Sequence, residues 1–276
     1  MKKLSPDAVR SFAKNGYVAP IRALSAAEAA GFRAQLERFE ARHPEHKHLL
    51  RNKTHLALRW ADDLIRHPRI LDAVEQLIGP NILCWSSSFF IKDARDPSFV
   101  SWHQDSTYWG LEPPEVVTAW VALSESVQAN GAMRVVPGTH KMDQVAHRET
   151  TTTGNMLTRG QEIAVEVDEA KAVALELQPG EMSLHHVRLI HGSEPNPSDR
   201  RRIGFAIRYL PTHVRQVVGI RDSATLVRGV DKHANFLPEQ RPEADLAPAA
   251  LALHARITEE GTRVLMRELP EPARKS

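Results

Sequence analysis

Apolar positions recur at helical spacing in the first third of the chain, then change to short runs rich in β-branched and aromatic residues. Ser5-Pro6-Asp7 reads as a helix start, with Ser5 at the N-cap, Pro6 at the first helical position and Gly16 as the stop. Ser25-Ala26-Ala27-Glu28 is a capping box opening a second helix, with Phe32, Leu36 and Phe39 at helical spacing. A third helix is predicted over "PRILDAVEQLIG", where Ile70, Leu71, Val74, Leu77 and Ile78 share one side and Gly79 ends the pattern. The N-terminal third therefore reads as mainly helical.

From Ile82 the runs "ILCWSSSFFI", "VVTAWVAL", "MRVVPG", "AVALELQPG", "MSLHHV" and "RIGFAIRYL" are punctuated by Gly, Pro, Asn and Asp. That pattern predicts many antiparallel strands closing into a barrel or jelly roll. Helices followed by strands is an α+β order around a β core. Residues 147–162, "HRETTTTGNMLTRGQE", read as a polar surface loop of the kind that often serves as a lid. One more helix is predicted around "AALALHARITEE". With no internal repeat and no low-complexity linker, residues 1–276 read as a single domain, its core at about 79–211 between flanking helical regions 1–78 and 237–276.

Composition narrows the function classes. At 276 residues and 42% hydrophobic, the chain can bury a sizeable core. Its 36 basic and 34 acidic side chains leave a formal charge of +2, too little to build a field for a polyanion, so nucleic acid is not an expected partner. Cys84 is the only cysteine, which excludes an intrachain disulfide and any Cys-rich zinc site. "LSPDAVRSFAKNG" places charges where a signal peptide would need an apolar stretch, and no run approaches the roughly 18 apolar residues of a membrane span. The expectation is a cytoplasmic protein without a membrane partner. No Gly-rich nucleotide loop or GxSxG elbow supports a dehydrogenase, kinase or serine hydrolase.

Candidate chemistry begins at "WHQDSTYW", residues 102–109. On an extended segment, residues i and i+2 project to one side, so His103 and Asp105 would deliver an imidazole and a carboxylate to one point. The bland alternative is a surface histidine bonded to a neighbouring aspartate. His191, after one strand and before a turn-rich connection to the next, offers a second imidazole. Two imidazoles and one carboxylate occupy one face of an octahedral ferrous ion and leave three positions open. Zinc would more usually take thiolates or further imidazoles, and magnesium or calcium an oxygen shell. The strand after His191 alternates Ile203, Phe205, Ile207 and Tyr209 with Arg202, Gly204, Ala206 and Arg208. The second set gives a guanidinium with open space before it, suited to a dicarboxylate; the alternative is that "RRR" at 200–202 is a solvated basic turn.

"WHQDSTYWGL", "TAWVALSESVQANGAMRVVPGTHK" and "LHHVRLIHGSEPNPSDRRRIGFAIRYLP", in that order, resemble the phytanoyl-CoA dioxygenase family of Fe(II)/2-oxoglutarate-dependent oxygenases. The resemblance runs from about Gly79 to Pro211 and implies a double-stranded β-helix, a jelly-roll, cupin-like barrel. His103, Asp105 and His191 match the family's iron ligands. Arg202, eleven positions after the distal histidine, matches the arginine that binds the far carboxylate of 2-oxoglutarate, and Ser193 matches a position that helps hold it. Gln104, Trp120, Ser88 and Lys53 match further cosubstrate contacts. Trp102, Tyr108 and Trp109 are candidates to wall the cavity, whereas His140 reads as structural; the adjacent His185 and His186 must point to opposite faces of a strand, so one is a candidate to line the pocket and neither belongs to the ligand set.

The resemblance implies Fe(II), 2-oxoglutarate and O2 acting on a small-molecule substrate, with hydroxylation of an unactivated C–H bond and release of succinate and CO2. Related halogenases carry Ala or Gly in place of the carboxylate; Asp105 therefore points to hydroxylation. The rivals are a metal-dependent hydrolase or isomerase on the same barrel and a noncatalytic binding module. No feature of the sequence names the prime substrate or the oligomeric state.

Overall fold

The computed structural model describes residues 4–149, 153–157, 161–164, 167–219 and 221–265. Two antiparallel sheets face one another. The larger runs, from edge to edge, through Tyr17–Arg22, Glu181–His186, Val117–Ala122, Arg202–Pro211, Ile82–Lys92, Ser223–Arg228 and Leu237–Pro238, the last pair being parallel. The smaller consists of Val100–His103, His191–Ser193, Arg134–Val135 and Val173–Ala174. Arg202–Pro211 lies centrally, paired along its whole length with Ile82–Lys92 and on its other side with Val117–Ala122. This α+β arrangement is the jelly-roll core the strand pattern predicts.

The two faces of the large sheet divide the packing. Val117, Ala119, Val121, Met182, Leu184, Ile203, Phe205, Ile207 and Tyr209 point outward and form one buried cluster with helical residues including Leu36, Phe39, Leu64, Ile70 and Val74. Tyr209 also donates its hydroxyl to the carbonyl of Ile65 at 2.7 Å, which satisfies a buried polar group at the helix–sheet seam. The inward face packs Trp120 and Ala206 against Met133, Val135, Leu175 and Leu177 inside the barrel. Period-two alternation on the central strand thus decides which residues hold the helices and which line the interior.

Helix ends fall where their capping residues place them. Ser5 accepts the Ala8 N–H at the start of Pro6–Asn15, and Gly16 closes that helix with φ +82°. Both bonds of the Ser25–Glu28 capping box are present at the start of Ala26–Arg42. Pro68–Ile78 and Pro248–Leu265 fulfil the other two helical expectations. The N-terminal third also contains the edge strand Tyr17–Arg22, which the helical reading passed over; Pro20 weakens its β signal, and an edge position is where a sheet tolerates proline. Within the 147–162 loop, His147–Glu149 pairs with Gln161–Ile163 as a short ribbon, while residues 150–152 and 158–160 lie outside the described residues. No helix among the described residues is long and apolar enough to cross a membrane.

Candidate functional site

Pairing of the edge strand Val100–His103 with its neighbour His191–Ser193 in the small sheet sets His103 directly opposite His191, their ring centroids 4.1 Å apart. The extended HxD expectation needs a correction. The strand ends at His103, and Asp105 has φ −64° and ψ −34° at the head of the helical turn Ser106–Trp109. Local bonds favour that turn, since Thr107 donates its hydroxyl to the Gln104 carbonyl and the Ser106 N–H reaches the carbonyl of Val187. The bend still brings an Asp105 carboxylate oxygen to 3.4 Å from His103 Nε2. One ligand atom from each of His103, Asp105 and His191 falls within 4.8 Å of the others.

The imidazole nitrogens are sorted by their partners. His103 Nδ1 lies 2.9 Å from the Ser101 carbonyl, and His191 Nδ1 lies 2.9 Å from the Leu189 carbonyl. A carbonyl only accepts, so both Nδ1 atoms carry the proton and both Nε2 lone pairs are free to bind a metal. Burial pushes the His191 pKa down to about 4, which keeps its ring neutral at ordinary pH. Burial alone would raise the Asp105 carboxyl, but the polar contact with His103 and the fields of His191 and the Arg208 guanidinium hold it well below the usual carboxylate range. Two neutral imidazoles and one carboxylate, which would leave three coordination positions open, fit an octahedral divalent iron.

A second feature lies along the Arg202–Pro211 strand. Arg202 is 2% exposed, its guanidinium carbon is 5.4 Å from the Trp120 ring centroid, and one amine group bonds the Gly131 carbonyl. Its Nε has no partner, and no carboxylate pairs with it among the described residues. Lys92, fully buried, donates to the Ser193 hydroxyl at 2.8 Å and to the Glu194 carbonyl. Burial, and then the neighbouring Arg202, lower the Lys92 pKa to about 7. Two buried basic groups with no carboxylate in ion-pair contact among the described residues, and only Asp96 and Glu194 acting at longer range, form a receptor for an anion, since an unpaired buried charge is costly. The sequence offered a signal for Lys92 in the alternation Ser86, Ser88, Phe90, Lys92, but the residue was passed over.

The remaining expected contacts separate into those near this receptor and those held elsewhere. Trp120 stacks with Arg202 and Ser193 bonds Lys92, so both lie at the receptor. Ser88 accepts from Arg208, which lies on the same strand face as Arg202. Gln104 is fully buried, but its amide donates to the Arg188 carbonyl and accepts from Gln144 and the Val145 N–H, securing the segment after Met142. Lys53 ion-pairs with Glu239 at 2.7 Å and donates to the Ser223 carbonyl. Glu239 is shared with His55, which bonds Ser87, whereas the adjacent Ser88 projects to the opposite face. Lys53 is thus tied to a polar cluster across the sheet from Ser88.

Other sequence readings resolve in the same way. Arg201 is bound by Glu40 and Asp93 on the outside of the barrel. His186 faces outward against Phe12 and His140, while His185 faces inward with its ring 4.9 Å from that of His191. His140 is structural: its ring fills the space that a Cβ at Gly16 would need, and Nε2 reaches the Ala13 carbonyl. Trp109 packs 4.9 Å from Trp85, Trp102 lies beneath Arg134, and the side chain of Tyr108 lies outside the described residues.

Residues 12–204 match the family model described as phytanoyl-CoA dioxygenase (PhyH). Over 176 residues the chain is 33% identical to a probable alpha-ketoglutarate-dependent hypophosphite dioxygenase of Stutzerimonas stutzeri, a match covering 61% of each protein. It is 33% identical over 136 residues to the peroxisomal phytanoyl-CoA dioxygenase of Homo sapiens, covering 47% of this chain and 39% of that one. The chain thus spans about two fifths to three fifths of the length of these relatives. Among solved structures, a non-heme monooxygenase, ThoJ in its apo form, superposes with a TM-score of 0.84 at 38% identity, covering 94% of this chain and 97% of that one. CytC3 with Fe(II) and alpha-ketoglutarate gives 0.65 at 24% identity, covering 87% and 99%, which speaks to the fold alone. By its match over residues 12–204, the chain belongs to the phytanoyl-CoA dioxygenase family.

Proposed function

We propose that the chain works as one catalytic unit, an Fe(II)- and 2-oxoglutarate-dependent dioxygenase that hydroxylates an unactivated C–H bond of a small organic substrate. The observation that carries this reading is the convergence of His103, Asp105 and His191 within 4.8 Å, with both Nδ1 atoms committed to backbone carbonyls. When bound, ferrous iron would supply dioxygen activation coupled to decarboxylation of 2-oxoglutarate to succinate and CO2.

The chain's own groups hold and orient. His103 and His191 present Nε2 and Asp105 presents a carboxylate oxygen to the metal. Arg202 takes the far carboxylate of 2-oxoglutarate, and Lys92 with Ser193 completes that receptor. Gly204 makes room for the Trp120 indole, which fills the space over that residue and lies against the Arg202 guanidinium. Trp120 walls the space and limits water around the charges, which strengthens the interactions made there. Asp105 would supply a carboxylate where a halide would otherwise bind the metal, which supports hydroxylation over halogenation.

Succinate release with iron, ascorbate and 2-oxoglutarate tests this reading. A panel of small metabolites would be assayed, including the hypophosphite named for the Stutzerimonas relative, with product mass read in parallel. The expected result is iron-dependent succinate formation that one substrate class stimulates, together with a gain of one oxygen atom in that substrate. Absence of 2-oxoglutarate binding by metal-loaded protein would favour the hydrolase or isomerase alternative instead.

A further inference from the structure

One group of buried polar atoms remains without partners after the metal centre and the Arg202 receptor are accounted for. Thr118 Oγ1, Ser183 Oγ, His185 Nδ1 and Arg208 Nε are all buried and lack a hydrogen-bond partner among the described residues. They come from three neighbouring strands. His185 is the Cα partner of Thr118, which is the partner of Arg208, and Ser183 is the partner of Trp120 in the next inward row. Residues paired across antiparallel strands share a face, so all four line the barrel interior. His185 also lies against the metal centre, with its ring 4.9 Å from that of His191.

Arg208 gives this cluster its charge. Its guanidinium carbon lies 5.7 Å from the Phe90 ring and 5.8 Å from that of Trp109, and one amine group bonds Ser88. No carboxylate ion-pairs with it among the described residues. Aromatic walls and a serine hold the guanidinium fork, and the Asp105 carboxylate acts on its charge through space without a direct ion pair. In the same inward row Thr118 offers a hydroxyl and His185 an imidazole, and Ser183 offers a second hydroxyl in the adjacent row. Buried donors of this kind are satisfied by an acceptor, and four together fit an oxyanion.

The geometry points to a second anion pocket, formed by Arg208, Thr118, Ser183 and His185, that recognises a carboxylate or phosphorus oxyanion on the prime substrate and seats it beside the metal centre. This rests on the metal and cosubstrate reading above for the identity of the neighbouring centre. Arg202 and Arg208 are six residues apart on one strand face, so each can hold its own anion, the cosubstrate's at one end and the substrate's at the other.

Calorimetric titration of nickel-loaded, full-length protein saturated with 2-oxoglutarate tests the pocket. The probes are matched pairs, propionate against propionamide and methylphosphonate against its dimethyl ester, with hypophosphite as the smallest anion. Native protein should bind at least one anion and neither neutral partner; the anion preferred separates the carboxylate from the phosphorus source. Arg208→Gln should weaken that anion about tenfold or more while 2-oxoglutarate affinity stays within about twofold. Arg208→Lys, which keeps the charge but loses the fork, should fall between and serves if the glutamine variant does not fold. Arg202→Met should do the reverse, losing 2-oxoglutarate and keeping the anion probe. The pocket is overturned by native protein that binds no anion, by equal binding of the neutral partners, by an unchanged Arg208→Gln, or by an Arg208→Gln that loses 2-oxoglutarate instead. Native protein that binds the anion but never 2-oxoglutarate keeps the pocket and sinks the cosubstrate reading.

Discussion

Gly204 and Trp120 occupy one space: a Cβ at residue 204 would lie 1.9 Å from Cζ2 of the indole. The demand is steric, because the nearest atoms all belong to that ring, and the ring in turn supports the Arg202 guanidinium. Gly204→Ala should therefore displace Trp120 and disturb Arg202 while leaving the metal ligands in place. We expect 2-oxoglutarate affinity to fall about tenfold with metal affinity unchanged, the loss of a charge-assisted contact being of this order. Paired titrations of metal and cosubstrate on one preparation would check it, and parallel losses of both would point to general unfolding.

Removing any one of His103, Asp105 or His191 takes away a ligand atom itself. His103→Ala, Asp105→Ala and His191→Ala should each weaken ferrous binding by more than the roughly 10–100-fold typical of losing an outer partner, and should abolish succinate release. Anaerobic equilibrium dialysis reads the first effect directly. Native affinity in all three variants would remove the metal assignment.

Lys92 gives a proton signature. Its pKa is about 7 in the folded chain against an ordinary 10.5, because burial and then Arg202 disfavour its charge. Between those values the unfolded chain holds more protons, so this group makes stability rise with pH across the window; below about 7 both states are charged and the penalty is complete. An incoming carboxylate should restore the charge, so 2-oxoglutarate binding near pH 8 should take up a proton. Calorimetry in buffers of different ionisation enthalpy measures that uptake. Lys92→Met should eliminate it, and zero uptake in the native protein would count against Lys92 as part of the receptor.

The Lys53–Glu239 pair predicts acid behaviour. Burial opposes both charges, yet Lys53 and His55 hold the Glu239 carboxyl at about 2 against an ordinary 4.5, and Glu239 with Asp222 raises Lys53. The sign is that of a depressed carboxylate: its stabilisation is present above about 4.5 and is lost as pH falls toward about 2. Glu239→Gln should cost about 3–5 kcal/mol, because it strands a buried ammonium. Denaturant unfolding at neutral pH measures that cost, and the variant should also lose the acid-dependent part of the native curve.

The candidate metal-binding residues and the strand that bears Arg202 are legible in the sequence because both lie in local patterns. His103 and Asp105 are two residues apart, and strict alternation from Arg202 to Arg208 separates an interior face from a helix-packing face. The backbone beneath the pair was misread, since the turn at Asp105 depends on bonds from Thr107 and Val187, the latter distant in sequence. Lys53 shows the opposite limit. Its fate is decided by Glu239, 186 residues away, and no local pattern joins the two. Likewise, Thr118, Ser183 and His185 become neighbours of Arg208 only through strand register.

Arg202 and Arg208 both face the interior from the single strand Arg202–Pro211. The pleat therefore acts as a ruler for whatever the enzyme holds at its two ends. Inserting two residues between them would lengthen the ruler by about 7 Å and keep both guanidinium groups inside. Inserting one would turn one of them out among the helices, so evolution of this pocket toward longer or shorter substrates is confined to even steps or to changes on the neighbouring strands.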